Sequence, residues 1–142
     1  MKFKLVSLVF AGIVFFFATQ QASACMCPYV RQSLKVAVKS AREQAATVFT
    51  GEVTSVETLT QQKSEITFKV TDVWKGETVS EIKIIVGNTD CDYWFEKGKS
   101  YLVYTSDKNP DFAITNCSRT AQVDGKKLNK EIAVLRKLKA GS

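Results

Sequence analysis

Hydrophobic and polar positions change period twice along this chain. From Arg31 to Ala46 the apolar residues Leu34, Val38, Ala41 and Ala45 fall at i, i+4, i+7 and i+11. That spacing draws one stripe on a helix, and no Pro or Gly interrupts it. It predicts a helix that covers one end of a core. From Phe49 the period drops to two. Phe49, Gly51 and Val53 alternate with Thr50, Glu52 and Thr54. Ile66, Phe68 and Val70 alternate with Thr67, Lys69 and Thr71, in a segment running on to Trp74; Lys75-Gly76-Glu77 then reads as a turn. Ile82, Ile84 and Val86 alternate with Lys83 and Ile85. Tyr101-Leu102-Val103-Tyr104 is apolar on both faces, the pattern of a central strand, and Phe112-Ala113-Ile114 reads as a short fifth strand leading into Cys117. Five successive strands predict a mainly β fold, an antiparallel sheet or a small closed barrel. Gly51 inside a strand fits a bend or bulge of the kind closure needs.

After Asp124-Gly125 the helical period returns. Leu128, Ile132, Leu135 and Leu138 form a stripe, and Lys126, Lys127, Lys130, Arg136, Lys137 and Lys139 supply most of the remaining surface. Residues 124–140 are therefore expected to form a basic amphipathic helix. Such a helix can meet an anionic membrane or a nucleic acid. The simpler expectation is an apolar stripe on the core with the charges in water.

The first 24 residues follow neither period. Lys2 and Lys4 precede a run from Leu5 to Ala18 that is apolar except for Ser7, and Ala22-Ser23-Ala24 is a small-residue A-x-A site. This is the pattern of a signal peptide over 1–24. An apolar run of about 14 residues is too short to span a bilayer. Cleavage after Ala24 would start the mature chain at Cys25 and place it outside the cytoplasm, secreted or periplasmic. The mature domain then covers 25–142, and its length suits one domain with a real core.

Charge and composition narrow the chemistry. The chain has 142 residues, a net charge of +6 and no histidine. Cys25 to Val123 holds 12 basic and 12 acidic residues, so the excess positive charge of the mature chain sits in its last 19 residues. Without histidine neither a Ser-His-Asp nor a Cys-His set can be built, and no P-loop or GxGxxG is present. No enzymatic activity and no cofactor are expected. Asp90, Asp92 and Glu96 read more simply as a polar loop than as a calcium site or a carboxylate pair. Tyr93-Trp94-Phe95 reads as aromatic packing against a buried disulfide, with an exposed binding surface as the alternative.

Four cysteines remain, Cys25, Cys27, Cys91 and Cys117. In an exported chain an even number indicates disulfides. A Cys25–Cys27 bridge would close too tight a ring. The other two pairings stay open, Cys25–Cys91 with Cys27–Cys117 or the crossed set. Either one pins the N-terminus to two distant points, each bridge worth roughly 4 kcal/mol in the chain-entropy treatment. A zinc site and a redox pair both fit poorly, because the spacing is CxC and not CxxC. A lipid-modified Cys25 would normally need Leu three residues earlier, where this chain has Ala22. No membrane anchor is expected.

Several segments carry a family likeness. They are Cys25-Met26-Cys27-Pro28, Ala46-Thr47-Val48-Phe49-Thr50-Gly51-Glu52-Val53 and Trp74-Lys75-Gly76. Two more follow, Phe95-Glu96-Lys97-Gly98-Lys99-Ser100-Tyr101-Leu102-Val103-Tyr104 and Asn116-Cys117-Ser118-Arg119-Thr120. Together the chain resembles the N-terminal domain of tissue inhibitors of metalloproteinases, the netrin-like module, and especially its shorter bacterial relatives. The resemblance implies a five-stranded Greek-key barrel of the OB type with flanking helices. It also implies the pairing Cys25–Cys91 and Cys27–Cys117. In the animal inhibitors the leading cysteine chelates the catalytic zinc of the target protease through its α-amine and carbonyl oxygen, and the next side chain enters the specificity pocket. Carried over, Cys25 is the ligand to a partner's zinc, with no metal of the chain's own. Met26 is the pocket residue, and Cys27 and Pro28 complete the protease-contacting strand. The chain departs from the animal proteins in lacking a third disulfide and the second subdomain, and in having Met26 where a small hydroxyl residue is usual.

Three functions compete on this reading. The first is a metalloprotease inhibitor acting through Cys25 and Met26. The second is an exported, disulfide-stapled interaction module with an extracytoplasmic protein partner, using Tyr93, Trp94 and Phe95 or the barrel face. The third is polyanion binding through the basic helix. The neutral body argues against a nucleic-acid groove, which wants basic residues along the barrel face. A monomer is expected.

Overall fold

The computed structural model of the chain describes residues 25–28, 30–106, 114–124 and 126–141. Residues 1–24, expected to be a signal peptide, and Phe112 and Ala113 lie outside the described residues. Among the described residues seven elements follow in order: α1 (Leu34–Gln44), β1 (Val48–Thr60), β2 (Lys63–Lys75), β3 (Glu81–Gly87), β4 (Ser100–Tyr104), β5 (Ala121–Gln122) and α2 (Lys126–Ala140). The fold is mainly β, five antiparallel strands with two flanking helices and two disulfides.

The strands are ordered β3-β2-β1-β4-β5. The first three form a meander, and the chain then crosses to place β4 beside β1, a Greek-key arrangement. The ladders run open from β3 to β5, and among the described residues none joins these two outer strands. The fifth strand is Ala121–Gln122, which pairs with Leu102 and Tyr101. Ile114, expected in a strand, is buried without joining one. Strands β1 and β2, of 13 residues each, are longer than expected, because a hairpin arm extends both beyond the core. The outer half of β1 is mostly exposed, so no apolar alternation marks it, and its Gln61-Gln62 turn is not a Gly or Asn signal.

Gly51 sits where the β1–β2 register slips between Thr50 and Gly51. A Cβ there would lie 2.9 Å from the Lys69 carbonyl oxygen, so β1 can approach β2 closely only with glycine. This is the bulge that the glycine predicted.

The sheet separates two cores. Alternation along β4 feeds both: Tyr101 and Val103 enter one, Leu102 and Tyr104 the other. The first core holds Phe49, Phe68 and Phe95 as an edge-to-face aromatic chain with centroids 5.3 and 5.2 Å apart. The second core lies between the sheet and both helices, around Val38, Val48, Trp74, Leu102, Leu128 and Leu135. Each helical stripe read from the sequence supplies its buried face, with Val38 on α1 and Leu128 and Leu135 on α2. Helix α1 stops at Gln44 because Ala45 turns extended. Lys75 Nζ then donates to the carbonyl oxygens of Glu43 at 3.0 Å and Ala45 at 2.5 Å, placing a cation at the negative end of the helix.

Candidate functional site

Two short segments form a platform at one end of the first core. Asp92 and Thr115 form an isolated antiparallel bridge. Tyr93 N–H donates to the Ile114 carbonyl oxygen at 3.3 Å, and Asn116 N–H donates to the Cys91 carbonyl oxygen at 2.9 Å. The Asn116 side-chain amide donates to the Asp90 carbonyl oxygen at 2.9 Å. Residues 90–93 and 114–117 are thereby held side by side, and each carries one cysteine.

The N-terminal segment is fastened to this platform twice. Cys25 is bonded to Cys91 and Cys27 to Cys117, with Cα–Cα distances of 5.5 and 5.2 Å. This is the pairing that the family likeness implies. Cysteines two residues apart share one side of an extended chain, and the residue between them points the other way. Cys25 is half-buried, Cys27 is exposed, and Met26 between them is 90% exposed. Pro28 is exposed as well. An apolar side chain in water, clamped on both sides, is the main feature of this end of the molecule. The two bridges point to an oxidising, extracytoplasmic environment. Among the described residues no helix is long and apolar enough to cross a membrane.

The loop that carries Cys91 is built around a buried carboxylate. Asp92 accepts from Thr89 N–H at 2.9 Å and Thr89 Oγ1 at 2.6 Å, while its own N–H donates to the Thr89 carbonyl oxygen. Gly87 makes room for it, since a Cβ at Gly87 would collide with the Asp92 carboxylate. Asp92 is therefore a structural brace, and Asp90 and Glu96 stand apart on the exposed surface. Among the described residues no set of three His, Cys, Asp or Glu side chains is placed to hold a metal ion.

The aromatic triplet splits by alternation. Phe95 is buried and Tyr93 half-buried, with ring centroids 4.9 Å apart, and Phe95 lies 4.9 Å from Tyr101. Trp94 turns outward and is 65% exposed. The expected packing against a buried disulfide is corrected here: Cys91, Cys27 and Cys117 are all exposed, and the rings pack into the β-sheet core. A groove beside Trp94 is lined by Val56, Ile66, Val86, Tyr93 and Phe95. Burial raises the phenol pKa of Tyr93 and Tyr101.

A second polar cluster went unnoticed in the sequence. Glu131, on α2, is 5% exposed. It accepts from Tyr104 Oη at 2.8 Å, Arg119 Nε at 2.9 Å and an Arg119 terminal nitrogen at 2.5 Å. Arg119 lies two residues past Cys117, so this fork joins α2 to the platform. The signal was available: Glu131 stands inside the apolar stripe of α2, between Leu128 and Leu135 on the buried face. Searched against protein-family models and curated proteins, the chain matches none.

Proposed function

We propose that this protein is an exported binding domain of the kind found in tissue inhibitors of metalloproteinases, and that it blocks a zinc metalloprotease with its N-terminal segment. The observation that carries this reading is Met26, 90% exposed between two cysteines that are each bridged to the platform. An apolar side chain held in water without freedom to retreat is suited to enter a partner's pocket. Two bridges remove much of the ordering entropy that binding would otherwise cost.

Processing after Ala24 would free the α-amine of Cys25. A catalytic zinc keeps one coordination position open for water or substrate. The amine and the Cys25 carbonyl oxygen would take that position together. The amine must be unprotonated, and α-amino groups titrate near pH 7.7–8.0, so losing the proton costs little at neutral pH. On this reading the protein is secreted or periplasmic, has no catalysis and no cofactor of its own, and acts as a monomer.

A second reading, a disulfide-stapled interaction module, is favoured by exposed Trp94 beside a groove of mixed polar and apolar lining. One experiment separates the two. The exported protein is compared with a form acetylated at its α-amine and a form carrying one extra residue before Cys25, against a panel of zinc metalloproteases. The inhibitor reading expects both changes to abolish inhibition with the urea midpoint unchanged. Inhibition that survives both, or complex formation that ignores the N-terminus and fails on Trp94→Ala, transfers the function to the second surface.

A further inference from the structure

Helices α1 and α2 both pack into the second core on the same side of the sheet, so their outer surfaces look the same way. On that layer α1 exposes Lys35 and Lys39, and α2 exposes Lys130, Arg136, Lys137 and Lys139. The acidic residues of the two helices are Glu43 and Glu131. Glu43 faces Lys39 at 3.8 Å. Glu131 is buried and held by Arg119. At the rim, Arg42 and Lys139 donate to the carbonyl oxygens of Trp74 and Val73, which keeps two more cations on this side; Asp72 and Glu77 are the exposed acids of the neighbouring strand and turn. By contrast, the strand-bearing segment 46–123 holds 8 basic and 11 acidic residues. By sequence, the neutral body therefore divides into a basic part that carries α1 and a net acidic part that carries the strands.

We propose that the outer face of α1 and α2 docks the protein on an anionic phospholipid bilayer. The helices, of 11 and 15 residues, span about 16 and 22 Å and spread the cations over a broad layer. A planar charged surface can meet all of them at once. A single-stranded nucleic acid would want aromatic rings to stack on, and the aromatic rings under this layer, Trp74 and Tyr104, are both buried, Trp74 beneath Lys139, whose Nζ lies 5.8 Å from the ring centroid. Val36, 54% exposed on α1, adds an apolar contact to the headgroup region. None of these residues belongs to the N-terminal segment or the aromatic triplet, so the docking face stands independently of the proposed inhibition.

The test is co-sedimentation of the exported protein, bridges intact, with vesicles of phosphatidylglycerol and phosphatidylcholine, and with vesicles of phosphatidylcholine alone. Binding is expected on the anionic vesicles only, falling at least tenfold as salt shortens the range of the attraction. The triple variant Lys130→Glu, Arg136→Glu, Lys137→Glu is expected to lose at least tenfold in partitioning with an unchanged urea midpoint. The control Lys69→Glu, Lys97→Glu, outside the two helices, is expected to bind as before. Equal binding to both vesicle types, wild-type binding by the triple variant, or retention on heparin or single-stranded DNA without vesicle binding would overturn the proposal.

Discussion

Arg119 closes on Glu131 with two nitrogens, Nε at 2.9 Å and a terminal nitrogen at 2.5 Å, while Tyr104 donates to the same carboxylate from the sheet. Three elements meet at this one side chain: the segment after Cys117, strand β4 and helix α2. The bidentate geometry is the strong form of such a pair, and the hydrogen bond to Glu131 raises the Arg119 pKa further. Deleting the carboxylate would leave the buried phenol and the half-buried guanidinium without this acceptor. Glu131→Ala is expected to cost about 3 kcal/mol, and Glu131→Gln less, since an amide oxygen still accepts. Urea midpoints of the two variants check this.

The same cluster makes the fold sensitive to alkali. Burial, and then the charge of Glu131, raise the Tyr104 phenol well above the ordinary tyrosine range. The folded chain keeps that proton, whereas the unfolded chain releases it near pH 10. The contribution to stability is complete below about pH 10 and declines above it. Tyr93 and Tyr101 shift in the same direction. Urea midpoints from pH 8 to 11 should fall at the alkaline end, and Tyr104→Phe should flatten that fall while lowering the neutral value.

At Gly51 the constraint is steric. An added methyl group would press on the Lys69 carbonyl oxygen, with Phe68 Cβ and Val70 Cα each 3.4 Å away. These atoms all belong to β2 at or next to its backbone and cannot give way cheaply, so Gly51→Ala is expected to destabilise by about 2 kcal/mol. Thermal or urea unfolding of the purified variant measures it.

The bridges should act on stability and on geometry separately. Removing the Cys27–Cys117 link, whose closed loop has a sequence separation of 90, with the pair Cys27→Ser and Cys117→Ser is expected to cost about 4 kcal/mol. Met26 should behave in the opposite way. An exposed side chain contributes little to the fold, so Met26→Ala should shift stability by less than about 0.5 kcal/mol. Under the proposed function it should weaken protease inhibition roughly tenfold or more, the value of an apolar side chain buried in a pocket. Inhibition unchanged in Met26→Ala would remove that residue from the mechanism.

The elements with one wet and one buried face were legible from the sequence. Leu34, Val38 and Ala41 marked α1, Leu128 and Leu135 marked α2, and β2 and β3 showed their alternation, because burial on one side imposes a period on residue choice; β4 was marked instead by a run apolar on both faces. The outer arm of the β1–β2 hairpin was not legible, since residues such as Val56 and Leu59 are exposed and no burial selects them. Strand β5 has two residues, too few for any period. The N-terminal feature was partly visible: the CxC motif announced a doubly pinned segment, whereas the choice of partners came from the family likeness.

Local order in the chain, then, determined that there would be a β body between two helices, a basic tail and four cysteines to be paired. The tertiary structure decided which residues became neighbours across long separations. It set Cys91 beside Cys117, turned Trp94 out while Phe95 turned in, buried Glu131 against Arg119, and packed α1 and α2 into one core. Periodicity reports only whether a residue faces water or core. Which distant residue it meets there depends on strand order and helix packing, and these are fixed by the whole chain folding at once.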